Sequence, residues 1–262
     1  MRGRPVSADP KVFITGASSG IGAALAAHYA RGGAVLGLCA RRLAPMQALF
    51  SSLLCAGSCY QVDVTDVAGL QAAAADFTER FGVPDIVIAN AGISAGTSTE
   101  NAEDLPAFRK IMDTNVFGMA VTFQPFVAPM RARASGTLVG IASVAGFRGL
   151  PGGGAYSASK SAAVTYLESL RVELRGSGVA VVTICPGYIR TAMTASNRYR
   201  MPFIIDADEA ARRFARAIAR KRRFTVIPWQ MALASFALRR LPRWLYDRLF
   251  ARAPRKARGL PL

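Results

Sequence analysis

The stretch Thr15-Gly16-Ala17-Ser18-Ser19-Gly20-Ile21-Gly22 separates a short apolar run, residues 12–15, from an alanine-rich segment, residues 20–31. The run has the length of a buried strand and the segment that of a helix. Glycines at such a junction let the backbone approach a phosphate, and the helix N-terminus supplies free N–H groups and positive partial charge. The stretch therefore predicts a dinucleotide-phosphate site. In isolation it also fits a tight strand–helix turn, and its spacing differs from the usual G-x-G-x-x-G.

Outward from this turn, short apolar runs alternate with helix-length segments. This alternation predicts an α/β fold, a Rossmann-type doubly wound parallel sheet of about seven strands with helices on both faces. No second block, linker or repeat is present, so we expect residues 1–262 to form a single NAD(P)-binding domain. The predicted strands cover residues 12–15, 34–40, 58–62, 85–89, 137–142, 179–185 and 224–227, and the predicted helices cover 20–31, 43–56, 66–81, 103–113, 115–133, 156–175 and 207–220.

The end of the second predicted strand indicates which dinucleotide binds. Where NAD-binding proteins place an acid for the ribose hydroxyls, this chain has Ala40-Arg41-Arg42 and no Asp or Glu. A 2′-phosphate would be repelled by an acid and suits an arginine fork. The sequence therefore favours NADP(H) over NAD(H), with Arg41 and Arg42 as ordinary solvated charges the alternative.

A phenol and an ammonium lie one helical turn apart in Tyr156-Ser157-Ala158-Ser159-Lys160, with Ser143 upstream. Residues four apart share a helix face. A neighbouring cation favours the phenolate, so we expect the pKa of Tyr156 to lie below its ordinary value. A tyrosine tuned in this way can serve as a general acid/base.

With these motifs in this order, the chain resembles the short-chain dehydrogenase/reductases, in their smaller single-domain branch. The resemblance covers roughly residues 11–227. One departure is Ala89, where the family often has a first asparagine before Asn90. The motifs that carry the resemblance are Thr15-Gly16-x-x-x-Gly20-x-Gly22, Asp63-Val64, Asn90-Ala91-Gly92, Asn115, Ser143, Tyr156-x-x-x-Lys160 and Pro186-Gly187.

The resemblance implies a role for each matching residue. Tyr156 would be the catalytic acid/base, Lys160 would assist it and bind the nicotinamide ribose, and Ser143 would bind the substrate oxygen. Asn115 would hold a helix distortion and a water that links Lys160 to solvent. The remaining cofactor contacts would come from Gly16, Ser18, Ser19, Gly20, Ile21, Arg41, Arg42, Asp63, Val64, Asn90, Ala91, Gly92, Pro186, Gly187, Ile189 and Thr191.

The substrate is less sharply indicated. Residues 188–205 are expected to form a substrate loop rich in apolar and aromatic side chains, with Phe147 near its mouth and Tyr188 and Met193 as contacts. A hydrophobic carbonyl or secondary alcohol follows, unless these residues only pack on the core. Reduction of a 3-oxoacyl thioester on an acyl carrier protein is the main alternative. A non-catalytic cofactor sensor is a further one, disfavoured by the intact Ser143, Tyr156 and Lys160.

Charge is concentrated at the C-terminal end. Of the formal charge of +17, residues 211–262 carry +14, with 15 Lys/Arg and the single acid Asp247. Residues 228–262 are therefore expected to form a basic amphipathic extension. It could contact an anionic membrane surface, form a subunit interface in a homodimer or homotetramer, or reflect an arginine-rich genome. No nucleic-acid-reading motif is present.

Composition excludes several other classes. No apolar run reaches the roughly 18–20 residues that span a bilayer, and residues 1–10 have no apolar core of signal-peptide length. We therefore expect a cytoplasmic protein, with peripheral membrane contact as an option. The cysteines Cys39, Cys55, Cys59 and Cys185 are expected to be reduced thiols, and with His28 the only histidine no metal is expected.

Overall fold

The fold is built on one parallel sheet of seven strands. The structure is a computed structural model that describes residues 9–195, 197 and 199–259. These strands are β1 (Lys11–Thr15), β2 (Val35–Ala40), β3 (Gly57–Gln61), β4 (Ile86–Ala89), β5 (Gly136–Ile141), β6 (Val179–Pro186) and β9 (Phe224–Ile227). Their order in the sheet is β3-β2-β1-β4-β5-β6-β9, and all pairs are parallel. The predicted sheet is confirmed.

Helices cover both faces of the sheet. They are α1 (Gly20–Arg31), α2 (Leu43–Leu53), α3 (Val67–Phe81), α4 (Leu105–Met112), α5 (Gly118–Ala132), α6 (Gly154–Glu173), α7 (Ala192–Ala195), α8 (Ala207–Ala219), α9 (Trp229–Arg240) and α10 (Arg243–Phe250). One apolar cluster joins the sheet to α1, α2 and α8, and a second joins it to α3, α5 and α6. None of the described helices is both long and apolar enough to cross a membrane.

Close packing between the layers explains one glycine inside a strand. A Cβ at Gly37 in β2 would lie 2.5 Å from Phe13 and 2.8 Å from Phe77. Both rings are fully buried. Glycine at this position therefore lets two large rings fill the core, which a methyl group would displace.

The sheet topology fixes where a ligand can bind. Strand order reverses between β1 and β4, and parallel strands place their carboxyl ends along one edge. In such sheets ligands bind outside the carboxyl ends at this switch point. The glycine turn follows β1 and Asn90 follows β4, so both lie at this point.

Three regions differ from the sequence-based expectation. The helices predicted at 103–113 and 115–133 are shorter, Leu105–Met112 and Gly118–Ala132, because a π-helical turn, Asp113–Phe117, joins them. This turn contains Asn115, where the resemblance implied a helix distortion. The helix predicted to end at residue 56 ends at Leu53, because Leu54 adopts a left-handed conformation. The expected loop at 188–205 contains β7 (Ile189–Arg190) and α7, and β7 pairs with β8 (Ile205–Asp206) in a small second sheet. Residues 196 and 198 of that loop lie outside the described residues.

Candidate functional site

The glycine turn has a backbone that other residues would not fit. Gly16 and Gly20 have φ values of +68° and +57°, in the left-handed region. A Cβ at Gly22 would lie 2.3 Å from the carbonyl oxygen of Gly16. Ser19 at the N-cap of α1 makes no side-chain capping bond. The first N–H groups of α1 therefore remain available at the mouth of the turn, as an anion site requires.

Asn90 ties the end of β4 to this turn. Its Nδ2 donates to the carbonyl oxygens of Thr15 and Gly16, each at 3.1 Å. A Cβ at Gly16 would lie 2.7 Å from Cα of Ala91, so the two chain segments are in direct contact. The Asn90 amide thus fixes the end of β4 against the glycine turn at the switch point of the sheet.

Two arginines at the end of β2 take different positions. Arg42 reaches across to the glycine turn, where its Nη2 lies 3.0 Å from Oγ of Ser19 and 3.3 Å from Oγ of Ser18. Arg41 lies 3.9 Å from the Asp63 carboxylate in a partly exposed ion pair. Arg42 therefore places its guanidinium beside the turn, whereas Arg41 is directed toward β3.

A cleft of about 560 Å³ runs along the carboxyl edge of the sheet, a size in the range of small-molecule sites. Every residue that the sequence assigned to the cofactor lines it, as do Ser143 and Met193. Sequence reasoning missed further lining residues, which carry no motif of their own: Ala40, Val62, Ile93, Thr114, Ile141, Ala142, Ala192 and Thr194.

Tyr156 and Ser143 meet where α6 passes the end of β5. Burial raises the pKa of Tyr156 above its ordinary value of 10.0, while a hydrogen bond with Ser143 acts in the opposite direction. The expectation of a lowered pKa is therefore wrong for this structure, because desolvation of the ring outweighs the effects that favour the phenolate. A phenol held neutral is a proton donor at ordinary pH.

Lys160 is buried behind Tyr156. Its Nζ donates to the Ile141 carbonyl oxygen at 2.9 Å and lies 5.8 Å from the Tyr156 ring centroid. Burial lowers the pKa of Lys160 from 10.5 to about 8. A Cβ at Gly92 would lie 3.4 Å from this Nζ, so the Asn90-Ala91-Gly92 turn packs closely against the ammonium.

Asn115 lies behind the cleft and does not line it. It is fully buried in the π-helical turn. Its Oδ1 accepts from the Ile93 N–H at 2.8 Å, and its Nδ2 donates to Ile93 O at 3.0 Å and to Ser159 Oγ at 2.9 Å. Asn115 thus connects the loop after β4 to α6 beside Lys160. The sequence did not single out Ser159.

Two predicted substrate contacts lie outside the cleft lining. The Phe147 ring packs 6.1 Å from that of Phe224, and the Tyr188 ring packs 6.3 Å from that of Tyr199. Burial first, and then the neighbouring phenols Tyr188 and Tyr156, raise the pKa of Tyr199 above its ordinary value. Tyr188 and Tyr199 therefore form an aromatic pair outside the cleft lining, and Tyr199 lies within electrostatic range of Tyr156.

Sequence reasoning missed the residues that reach the site from the C-terminus. Residues 253–259, here called the C-terminal strap, pass beside the loop after β4 and the start of α6. Nζ of Lys256 lies 6.0 Å from the Tyr156 ring centroid and 2.8 Å from Oγ of Ser94. No sequence pattern indicates that a lysine a hundred positions from Tyr156 would be its neighbour.

Comparison with known proteins identifies the family to which this chain belongs. The family model described as short chain dehydrogenase matches residues 10–201. The chain belongs to the short-chain dehydrogenase/reductase family. It is 42% identical over 241 residues to an uncharacterized oxidoreductase of Myxococcus xanthus, covering 90% of this chain and 94% of that protein.

Two solved structures extend the comparison to cofactors. A family member from Burkholderia phymatum in complex with NAD has a TM-score of 0.80 and 26% identity, covering 97% of this chain and 99% of that one. An alcohol dehydrogenase from Thermococcus sibiricus complexed with 5-hydroxy-NADP has a TM-score of 0.73 and 25% identity, covering 83% and 95%. This family member is accordingly an NAD(P)-dependent oxidoreductase.

Proposed function

We propose that the protein interconverts a carbonyl and a secondary alcohol on a substrate with an apolar body, using NADP(H). The observation that supports this most directly is the convergence of Ser143, Tyr156 and Lys160 on the wall of a single cleft. The opposite end of that cleft carries Arg42 beside the glycine turn. Acid/base groups and a phosphate-binding end thus share one cavity.

The chemistry of the cleft fits a dinucleotide with a 2′-phosphate. The uncapped N-terminus of α1 and the hydroxyls of Ser18 and Ser19 suit the pyrophosphate. Arg42, already directed at those serines, suits the extra phosphate as a planar donor fork. Arg41 and Asp63 would border the adenosine end, and Lys160 the nicotinamide ribose. The bound nicotinamide supplies or accepts a hydride.

Each catalytic side chain then has one task in reduction. As negative charge develops on the substrate oxygen, Tyr156 donates its proton and the Ser143 hydroxyl donates a hydrogen bond. The raised pKa of Tyr156 keeps the phenol protonated for this role. Lys160 and Asn115 would hold the proton path behind the phenol, and in the direction of alcohol oxidation Tyr156 would accept the proton.

The apolar character of the substrate is supported by the rings beside Tyr156. Tyr188 and Tyr199 pack against each other outside the cleft lining, and Met193 lines the cleft. Apolar and aromatic walls with few polar groups favour a substrate whose body is largely hydrocarbon.

The proposal is tested by steady-state kinetics with NADPH and NADH against a panel of carbonyl compounds. Aliphatic, steroid, retinoid and 3-oxoacyl-thioester carbonyls should be compared at equal concentration. We expect higher kcat/KM with NADPH and with an apolar ketone. Faster turnover with NADH would overturn the cofactor assignment. A marked preference for the thioester on an acyl carrier protein would favour that alternative, which the basic surface of the C-terminal region supports.

A protein that binds NADPH but turns over no member of the panel would instead fit the cofactor-sensing alternative. Intact Ser143, Tyr156 and Lys160 speak against it. Binding titration of NADPH, run beside the kinetics, separates this outcome from a protein that fails to bind the dinucleotide.

Two apolar faces of the protein are exposed, and we propose a different contact for each. We propose that the face formed by α4, the π-helical turn and α6 forms the contact of a homodimer or homotetramer. Its exposed side chains include Leu105, Phe108 and Phe117. These three elements contact one another and form one surface.

The second face lies on α9 and α10, and we propose that it contacts an anionic membrane surface from the cytoplasm. Trp229, Leu233 and Phe236 have spacing that places them on one side of α9, and each is more than half exposed. Arg240 stacks on the Phe236 ring at 4.2 Å. Apolar rings beside arginines suit a headgroup layer.

Paired substitutions separate the two faces. Leu233→Ser with Phe236→Ser should abolish sedimentation with phosphatidylglycerol vesicles, while the oligomeric mass stays unchanged. Leu105→Ser with Phe108→Ser should lower the oligomeric mass and leave sedimentation unchanged. If the α9 pair lowers the mass instead, that face is the subunit interface. If wild-type protein does not sediment with these vesicles, its arginines are only solvated charges.

A further inference from the structure

The C-terminal strap is held against the site by backbone contacts. The Gly96 N–H donates to the Ala257 carbonyl oxygen at 2.9 Å. A Cβ at Gly96 would lie 2.2 Å from the Lys256 carbonyl oxygen, and a Cβ at Gly152 would lie 2.8 Å from Arg255 Cβ. Two glycines thus make room for the strap, one on each side of it.

Side chains reinforce this position. The Arg258 guanidinium donates to the Asp104 carboxylate at 2.7 Å. The same carboxylate oxygen accepts from the Ser98 N–H at 2.7 Å. The strap is therefore tied to the loop between β4 and α4, the loop that also carries Ser94, the hydrogen-bond partner of Lys256.

This path delivers one cation to the reacting phenol. Nζ of Lys256 and Nζ of Lys160 lie at similar distances from the Tyr156 ring centroid, 6.0 and 5.8 Å. Lys160 lines the cofactor cleft, whereas Lys256 does not. The Lys256 ammonium is half-buried, and desolvation lowers its pKa. Lys256 therefore reaches Tyr156 from outside the cleft lining, beside Ser94 in the loop after β4.

Within residues 9–195, 197 and 199–259, Lys256 has no salt-bridge partner. Its one hydrogen bond there goes to the neutral Ser94 hydroxyl. An ammonium has three donors, so two stay available beside the phenol. A partly desolvated cation without a counter-ion is completed by an anionic ligand, which forms a charge-assisted hydrogen bond.

We infer that Lys256 binds an anionic group on the substrate, so that the enzyme acts on carbonyl compounds that carry a carboxylate as well as an apolar body. This inference rests on the proposed function, since it concerns the substrate side of the same Tyr156. It narrows the substrate from a hydrophobic ketone to an oxo acid. It also gives part of the basic C-terminal region a role inside the molecule.

The test compares acids with their esters. The probes are straight-chain oxo acids with the ketone two to five carbons from the carboxylate, each beside its methyl ester. Binding is measured by calorimetry on full-length Tyr156→Phe protein saturated with NADPH, and kcat/KM on protein with Tyr156 intact. The binding arm needs no turnover, so failure of the proposed reaction and failure of this inference give different results.

We expect the best acid to bind better than its ester, and Lys256→Met to weaken acid binding about 10- to 100-fold, as a lost hydrogen bond to a charged group does. Ester binding should stay unchanged. Lys256→Arg should retain part of the acid preference. In the intact enzyme the loss should appear in KM more than in kcat.

Arg255→Met is the matched control, since it removes one charge from the same strap and keeps the aliphatic stem that contacts Gly152. Arg255→Met should leave the binding of both the acid and the ester unchanged. Ser94→Ala removes the one hydrogen bond of Lys256 and should spare the acid preference. Equal loss of acid and ester in Lys256→Met, reproduced by Ser94→Ala, would overturn the inference and make Lys256 only an anchor of the strap. Absence of any acid preference in the protein with Lys256 intact would overturn it as well.

Discussion

Two regions meet at Tyr156, and they reach it in different ways. Residues 11–191 bring the glycine turn, Asn90, Ser143 and Lys160 to the cleft through the order of the parallel strands. Residues 253–259 bring Lys256 to Tyr156 because this segment folds back and packs against Gly96 and Gly152. The first region concerns chemistry that the whole family shares, and the second concerns which substrate is accepted. Substitutions in residues 11–191 should therefore lower turnover of every substrate. Substitutions in residues 253–259 should alter the preference among substrates.

The largest expected effect comes from the phenol itself. Tyr156→Phe should lower kcat about 10²–10⁴-fold, because the proton donor is lost, while the Kd for NADPH changes little. Steady-state kinetics and a binding titration measure the two quantities. Tyr166→Phe, in the same helix, is the control and should keep full activity.

A Tyr156→Phe enzyme that retained the original rate would remove Tyr156 from the mechanism. A loss of NADPH binding as large as the loss of rate would mean that the ring supports the cleft rather than the chemistry.

The second effect concerns the buried ammonium of the shared region. The folded pKa of Lys160 is about 8, below its ordinary 10.5, because burial disfavours the charged form. Between these values the unfolded chain binds more protons than the folded one, so this group makes the free energy of unfolding rise with pH across that window. Lys160→Met should remove a rise on the order of 3 kcal/mol.

Urea unfolding of wild type and Lys160→Met at several pH values between 7 and 11 measures this difference directly. Lys221→Met, at an exposed lysine after α8, is the control for the loss of a surface ammonium. Parallel curves for wild type and Lys160→Met would mean that the ammonium is solvated well enough to keep its ordinary pKa.

The third effect distinguishes the two arginines after β2. Arg42→Met should lower kcat/KM with NADPH about tenfold or more and leave NADH unaffected, because a charge-assisted contact with the 2′-phosphate is lost. Arg41→Met should do less, since Arg41 is directed toward Asp63. Kinetics with both dinucleotides provide the measurement. Equal losses with NADPH and NADH in Arg42→Met would show that Arg42 only braces Ser18 and Ser19.

The contrast between the regions also explains what sequence could predict. The glycine turn and Asn90 were predictable because each follows a recognisable strand, and Lys160 because it lies one helical turn after Tyr156. Strand order then brings them together. The Tyr156 pKa was predicted in the wrong direction, because spacing reports a neighbouring charge and does not report burial. Lys256 was not predictable, since its place depends on Gly96 and Gly152 leaving room for a distant chain segment.

The smallest effect tests whether the strap is a separate, adjustable part. Arg258→Met removes the ion pair with Asp104 but none of the backbone contacts, so the strap should loosen without unfolding the domain. Partly exposed pairs contribute little, and we expect a few-fold faster hydrogen exchange at the Gly96 amide and a few-fold higher KM for an oxo acid. The kcat with the matching ester should not change.

The ion pair between Arg258 and Asp104 can also be tested through its dependence on pH. The Ser98 N–H first, and then Arg258, lower the pKa of the Asp104 carboxyl from its ordinary 3.8. The tie is therefore fully present above pH 3.8 and is lost only as pH falls through the lowered pKa. Gly96 exchange, corrected for its intrinsic pH dependence, should stay constant from neutral pH down to that range in wild type. Arg258→Met should then exchange faster than wild type at neutral pH. If the two proteins exchange alike at neutral pH, the backbone contacts alone hold the strap, and Arg258 contributes nothing to the position of Lys256.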